Sequence, residues 1–302
     1  MEQEAGHVPV MLAETIAQLQ VRPGQVILDG TAGGGGHAAA LWEHIRPGGR
    51  LILLDRDRGA LERLMARFGR GGDVRYFHAN FRDVDHVLAE AGHQQIDGAL
   101  LDLGTSSLQL ADADRGFSFD RAGPLDMRLD PADDRTAADI VNTWHADRLA
   151  DLFREYGDQP FAGRIARAIV EARKREPIRR TDELADLVAR AVPAAWRRQE
   201  RIHPATRVFQ ALRIAVNDEL GSLETFLDKV FGLMKPGGRV VIIAFHSGED
   251  RIVKTRFRDA ARAGLVTLPV TKPIVPAPEE VQANPRSRSA RMRVAERLVT
   301  AG

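Results

Sequence analysis

The chain has no cysteine among its 302 residues, so disulfide staples, thiolate metal sites and a cysteine nucleophile are excluded. It also lacks an excess of either charge: 43 Lys and Arg oppose 42 Asp and Glu, and the net charge of +1 argues for no partner by itself. Residues 1–20 carry Glu2, Glu4 and Glu14 and no long apolar core, a pattern that predicts neither a secretory signal nor a membrane span. No internal repeat is present. What remains is an ordinary globular composition, 44% hydrophobic and 28% charged, long enough for a full α/β core with an insertion. The expectation is a cytoplasmic protein with no membrane partner.

The first third alternates short apolar runs with helical patterns, the mark of a parallel sheet covered by helices. Strands are expected at Val26 to Leu28, Arg50 to Leu54, Val74 to Phe77 and Ile96 to Leu101, with helices near His37 to Ile45, Asp57 to Phe68 and Arg82 to Ala91. After Asp102 the alternation stops. From about Leu110 to His203 the chain reads as loops and amphipathic helices, among them Ile165 to Ala172 and a helix capped by Thr181. A helix from about Asn217 to Met234 ends at Lys235-Pro236-Gly237-Gly238 and leads to a strand at Arg239 to Phe245. Leu265 to Val270 and Met292 to Val299 could supply two last strands, with a proline-rich loop at Thr271 to Pro285. The middle segment is therefore an insertion in a doubly wound, mostly parallel sheet: residues 1–109 and 206–302 form the sheet domain, 110–205 the helical insertion.

The balanced total charge hides two basic segments. Gln159 to Ala215 holds thirteen Arg and Lys against six Asp and Glu; Asn284 to Gly302 holds five Arg, including Arg286, Arg288, Arg291 and Arg293, against one Glu. One such block is commonly a solvated face, but two favour a polyanionic partner. Trp196 lies among Arg197, Arg198 and Arg201, where it could pack or stack on a base.

Directly after the first strand comes Asp29-Gly30-Thr31-Ala32-Gly33-Gly34-Gly35-Gly36-His37, then a helix. Four consecutive glycines cost much backbone entropy for a turn alone, and they admit close approach of a ligand to backbone amides at a helix start. The spacing also meets the dinucleotide pattern through Gly33, Gly35 and Ala38, which is weak evidence. The loop lacks the Gly-Lys-Ser/Thr ending of a nucleotide triphosphate loop. Charge separates the remaining readings. Asp29 would repel a pyrophosphate but attract the ammonium and sulfonium of S-adenosylmethionine. Asp55 is placed for ribose hydroxyls, and Asp102 is a third carboxylate at a strand end, where strands of such a sheet converge on the ligand crevice.

Six motifs in order then resemble the MraW/RsmH family. They are Asp29-Gly30-Thr31 with Gly35-Gly36-His37; Leu101 to Ser107 with Gln109; Arg115 to Phe119; Gly123 to Arg128; His203 to Arg207 with Phe209-Gln210; and Phe245-His246-Ser247 with Glu249-Asp250-Arg251. The likeness runs from His7 to about Arg297. It implies a class I, Rossmann-like methyltransferase fold and N4-methylation of a cytidine in the 16S ribosomal RNA of the small subunit. It implies a cofactor site at Gly35, Gly36, His37, Asp55, Phe81, Asp102 and Gln109, and an insertion that recognises RNA. Ala38 and Gly248 stand where the family usually has Ser and Leu.

Such a reaction needs hydrogen-bond acceptors for the target amine rather than a nucleophile. Asp102, Ser106 or Ser107, after the fourth strand, and His246, after the fifth, are the candidates; the Asp-or-Ser-Pro-Pro-aromatic motif of other amino-methylases is absent. Two other readings stay open: a methyltransferase for protein or small molecules, which leaves the arginines unexplained, and a non-catalytic RNA-binding module, which leaves the three carboxylates unexplained.

Overall fold

The computed structural model describes residues 9–199 and 202–299; His7 and Arg201 lie outside them. The chain divides into two compact units, one of residues up to Gly104 together with those from Leu220 on, the other of Thr105–Glu219.

The first unit is built on seven strands: β1 (Val26–Asp29), β2 (Arg50–Asp55), β3 (Val74–His78), β4 (Ile96–Asp102), β5 (Met234–Ala244), β6 (Val266–Thr267) and β7 (Arg291–Arg297). Their order is β3-β2-β1-β4-β5-β7-β6. The strands β1 to β5 pair in parallel, while β7 is antiparallel to both β5 and β6. Strand order reverses between β1 and β4, which opens the crevice of a doubly wound sheet at the ends of these two strands. The helices α1 (Leu12–Leu19), α2 (Gly36–Ile45) and α3 (Arg58–Phe68) cover one face, and α4 (Val84–Glu90) begins the cover of the other.

Alternation within the strands assigns side chains to these two layers. Ile27, Leu51, Leu53, Val241 and Ile243 pack with α1 to α3; Leu28, Ile52, Leu54, Val240 and Ile242 pack on the opposite side. Because both layers are apolar, the strands read as continuous hydrophobic runs rather than as alternating ones.

The second unit is helical: α5 (Ser107–Ala111), α6 (Ala137–Thr143), α7 (Ala146–Glu155), α8 (Ala162–Arg173), α9 (Thr181–Ala191), α10 (Ala194–Gln199) and α11 (Pro204–Asn217). Its own core joins Ile140, Phe153, Ile165, Leu184, Val188 and Leu212. The motifs at 115–119 and 123–128 serve this unit: Arg115 donates to the carbonyls of Arg128 at 3.0 Å and Leu129 at 2.8 Å, and Phe119 lies 4.9 Å from both His203 and Phe209. The chain then returns to the first unit with α12 (Glu219–Val230), α13 (Ser247–Arg262) and α14 (Pro278–Ala283). With α4, α12 and α13 complete the second helical layer on the sheet.

Several sequence expectations shift. The sheet domain was expected to resume at residue 206, yet α11 buries Val208, Leu212 and Val216 in the helical core, so the compact unit ends at Glu219. Asp218, at φ 49°, stops α11 and separates it from α12, where one helix from Asn217 was expected. Thr181 is the first residue of α9 rather than its cap; the Glu183 carboxylate closes the start by accepting from the Arg179 and Arg180 amides at 3.0 and 3.1 Å. Lys235-Pro236-Gly237-Gly238 sits inside β5, as an irregularity between the Ile96–Met234 and Gly98–Arg239 pairs. The strand expected at Leu265 to Val270 shortens to two residues, and α14 occupies part of the expected loop.

Asn217 is 1% exposed and holds the 123–130 loop of the helical unit. Its side chain accepts from the Leu129 amide at 2.8 Å and donates to the carbonyls of Met127 at 2.8 Å and Arg213 at 2.9 Å. Met127 needs this support because it adopts φ 68°, unusual for a residue with a side chain. Asn217→Ala strands a buried amide and carbonyl and should cost about 2–3 kcal/mol. A urea midpoint equal to that of the parent chain would show that Asn217 does not carry this load.

Candidate active site

The site begins with three aspartates at the ends of parallel strands. Asp29 closes β1, Asp55 closes β2 and Asp102 closes β4, because each strand's last inward position falls where the sheet meets the crevice. Hydrogen bonds tie the three ends together. Asp29 Oδ1 accepts from the Thr31 amide at 3.1 Å, and the Thr31 hydroxyl accepts from the Asp102 amide at 2.7 Å. Asp55 accepts from the Gly33 amide at 2.7 Å and from the Asp57 amide at 2.8 Å. The carboxylate expected to meet a ribose is therefore also the anchor of the glycine loop.

That anchoring leaves an electrostatic deficit. Among the described residues, Asp29 Oδ2 and Asp102 Oδ1 are buried without a hydrogen-bond partner. Burial pushes the Asp29 carboxyl up to about 7, against the Thr31 amide, with Asp55 adding repulsion. Burial raises Asp102 well above the carboxylate range, and the charges of Asp29 and Glu249 push it further the same way. Burial raises Asp55 too, opposed by the amides of Asp57 and Gly33. A cationic group placed among these oxygens would relieve all three, so the donor set suits a ligand carrying ammonium and sulfonium.

The glycine loop is also shaped by contacts within the protein. Gly33 and Gly35 have φ of 49° and 76°. A Cβ on Gly35 would strike Leu64, and one on Gly36 would strike Pro9, so at these two positions small size serves the packing of α2 against protein. His37 is 6% exposed. Its Nε2 lies 3.0 Å from the Val10 carbonyl, which fixes the proton on that nitrogen, and its Nδ1 lies 3.6 Å from Asp102 Oδ2. Ala38, where the family has Ser, is fully buried in the core beneath α2.

Phe81 is positioned by Asn80, whose Oδ1 accepts from the Arg82 amide at 3.1 Å and whose Nδ2 donates to Ser222 at 2.9 Å. The Phe81 ring stands edge-on to Phe226 at 5.9 Å, and its Cβ approaches Gly30, beside Asp29. Ser106, Ser107 and Gln109 fall in the helical unit. Ser106 and Gln109 form a reciprocal cap on α5: Ser106 Oγ accepts from the Gln109 amide at 3.2 Å and Gln109 Oε1 from the Ser106 amide at 2.9 Å. The structure thus brings together Gly35, Gly36, His37, Asp55, Phe81, Asp102 and His246 in one unit, and gives Ser106 and Gln109 a capping task in the other.

Glu249 was not singled out as a site residue. It is 2% exposed, accepts from the Phe245 amide at 2.8 Å and the His246 amide at 3.3 Å, and lies 3.2 Å from His246 Nε2. The His246 Nδ1 faces the Glu249 amide at 3.4 Å, so the ring proton belongs on Nε2. A buried acid three residues into a helix, beside a histidine cap, is the signal that could have marked it. At Gly248 a Cβ would come within 3.1 Å of the His246 ring, so the family's leucine would press on that imidazole.

Sheet order, switch point and unsatisfied strand-end carboxylates are together those of an α/β methyltransferase. The model of the MraW methylase family matches residues 4–298. Relatives include the ribosomal RNA small subunit methyltransferase H of Nitratidesulfovibrio vulgaris, 48% identical over 309 residues and covering 97% of this chain and 86% of that one. The protein of the same name from Geobacter sulfurreducens is 49% identical, covering 97% of this chain and 99% of its own. That from Thermomicrobium roseum is 48% identical, covering 98% and 95%. The chain belongs to the MraW methylase family.

The raised Asp29 carboxyl has a measurable sign. Between its ordinary value of 3.8 and about 7 the folded protein holds this proton more tightly than the unfolded chain, so its contribution to stability falls as pH rises through that window. An ammonium beside it favours the ionised form. Binding of adenosylhomocysteine should therefore release a proton below pH 7 and tighten by up to about tenfold per pH unit as pH approaches 7. Calorimetry in buffers of different ionisation enthalpy reads the proton directly; a pH dependence that survives unchanged in Asp29→Asn would refute the assignment.

Proposed function

We propose that this chain transfers a methyl group from S-adenosylmethionine to the exocyclic N4 of a cytidine in the 16S ribosomal RNA of the small subunit, in the cytoplasm. The pair of buried, unpartnered oxygens on Asp29 and Asp102 carries the reading, because it is a ready-made seat for a cation beside an acceptor for an amine. The names of the curated relatives support the acceptor. Among the described residues no helix is long and apolar enough to cross a membrane.

The cofactor supplies an electrophilic methyl group on a sulfonium. Asp29 and Asp102 compensate positive charge, Asp55 holds the loop and takes the ribose hydroxyls, and Phe81 offers a ring against the adenine. Gly35, Gly36 and His37 would set the start of α2 beside it, and Gln109 is a further cofactor candidate. Asp102 Oδ1 accepts a hydrogen bond from the target amine, which turns the nitrogen lone pair toward the methyl group. Bound there, the sulfonium would supply the methyl group and act as leaving group, and Asp102 would receive the proton that the amine gives up. His246 carries its proton on Nε2 and fits a donor to the base better than an acceptor from the amine. Ser106 and Ser107 are further candidates to touch the base. The helical unit, with Arg164, Arg167 and Lys174 among its cations, grips phosphates around the flipped nucleotide.

Asp102→Asn should lower kcat at saturating cofactor on the order of a hundredfold on small subunits from cells lacking the enzyme, read by nucleoside mass spectrometry. Full turnover in both Asp102→Ala and His246→Ala would remove both as participants. Methylation of protein or a small molecule by the same preparation, with RNA untouched, would favour the other methyltransferase reading.

A further inference from the structure

The sheet unit carries a cationic surface that lies outside both arginine-rich segments of the sequence. On α13, Arg251, Lys254, Arg258 and Arg262 are all exposed. At about 100° per residue they fall within about 80° of arc and extend about 16 Å along the helix axis. Val253, Phe257 and Ala260 are buried on the face toward the sheet. The row starts five residues beyond His246, the cap of α13 at the crevice end of β5, and leads away from it.

The helix that bears this row compensates it only at its end, where Asp259 pairs with Arg262. Neighbouring cations three and four residues apart repel, and Arg251 opposes the positive end of the helix dipole. The natural partner of Lys254 is Asp250, one turn earlier. Asp250 instead binds Arg293 at 2.6 and 3.1 Å and Arg291 at 3.3 Å on β7. Burial acts to raise this carboxyl, but the hydrogen bonds from Arg293 and Arg291 outweigh it and hold it below its ordinary value. Glu249 is turned toward His246, and Asp228 is engaged by Arg256 at 2.9 Å. Asp259 reaches only Arg262, at 3.5 Å. Among the described residues Arg251, Lys254 and Arg258 have no carboxylate within ion-pair reach. The helix thus spends Asp250 on β7, Glu249 on its own cap and Asp259 on Arg262 at the far end of the row, and leaves Arg251, Lys254 and Arg258 facing solvent without an acid.

We propose that the outer face of α13 is an RNA phosphate track that holds the strand adjoining the target nucleotide, separately from the helical unit. The proposal rests on the ribosomal RNA reading above. It also takes one arginine out of the C-terminal basic segment: Arg293, with a side chain only 11% exposed, is committed to Asp250, and its role is to draw that acid away from the row.

The test uses the full chain with K254Q/R258Q/R262Q, and a control, R46Q/R58Q/R70Q, that removes the same charge elsewhere in the sheet unit. Binding to small ribosomal subunits from cells lacking the enzyme, and to protein-free 16S ribosomal RNA, is measured from 50 to 300 mM KCl. The row variant should lose about two to three from the slope of log Kd against log salt on both ligands, while the control loses less than one. KM for subunits should rise at least about fivefold with kcat and adenosylhomocysteine affinity held. The single variant K254Q should show about a third of the slope change, which guards against a folding defect in the triple variant. A wild-type slope and KM in both K254Q/R258Q/R262Q and the reversed pair K254E/R258E would leave only a solvated face and overturn the proposal. An effect on subunits that is absent on protein-free RNA would assign the row to a ribosomal protein and overturn it equally. Wild-type enzyme that fails to methylate subunits would instead sink the functional reading, and the track with it.

Discussion

Three parallel strands of this sheet end in carboxylates at the place where strand order reverses, and a carboxylate taken out of water is costly unless something answers its charge. The protein answers only in part. Asp55 is satisfied by two backbone amides of the turns that follow β1 and β2, so its charge becomes the peg on which the glycine loop hangs. Burial drives all three upward; two amides oppose it at Asp55, one at Asp29 and, among the described residues, none at Asp102. The remaining compensation has to come from a ligand, and a positively charged methyl donor supplies it. The free protein bears this strain, in keeping with a site whose ligand affinity derives from charges held apart by the fold.

Much of the surrounding architecture follows from holding those three ends in register. Thr31 links the β1 turn to β4 through the Asp102 amide. Leu64 and Pro9 close on the glycines at the start of α2, so that loop is packed on its protein side and needs no side chain to be rigid. Asn80 caps the turn after β3 and reaches Ser222 on α12, which sets Phe81 near Gly30. On the far side of the crevice Glu249 closes the start of α13 and fixes the His246 ring, with its own charge adding to the pressure on Asp102. A single buried acid there joins helix capping, tautomer choice and the electrostatics of the proposed acceptor.

Charge also explains how a chain of nearly zero net charge can favour a polyanion. Acids and bases are sorted rather than mixed. Asp250 is drawn to Arg293 and Arg291, and Glu296 to Arg239, inside the sheet edge, while among the described residues Arg251, Lys254 and Arg258 on α13 have no carboxylate partner. The motifs at 115–119, 123–128 and 203–210, by contrast, meet one another within the helical unit, where Arg115 and Asn217 tie loop backbone and the rings of Phe119, His203 and Phe209 gather. Within that unit these contacts hold its loops to its helices.

Read alone, the sequence determined most element types, the parallel strands β1 to β4 to within a residue and the three strand-end aspartates, because hydrophobic period and turn residues are local properties. It also pointed to the cofactor class, since an acid at the β1 end repels phosphate wherever the chain goes next. It could not show that Gly35 and Gly36 are small for Leu64 and Pro9, that Arg293 is consumed by Asp250, that α11 belongs to the helical core, or that Glu249 joins the site. Each of these depends on which side chains, distant in the chain, share a low-dielectric space. Burial and pairing decide what a charge or a glycine does, and only the tertiary structure sets them.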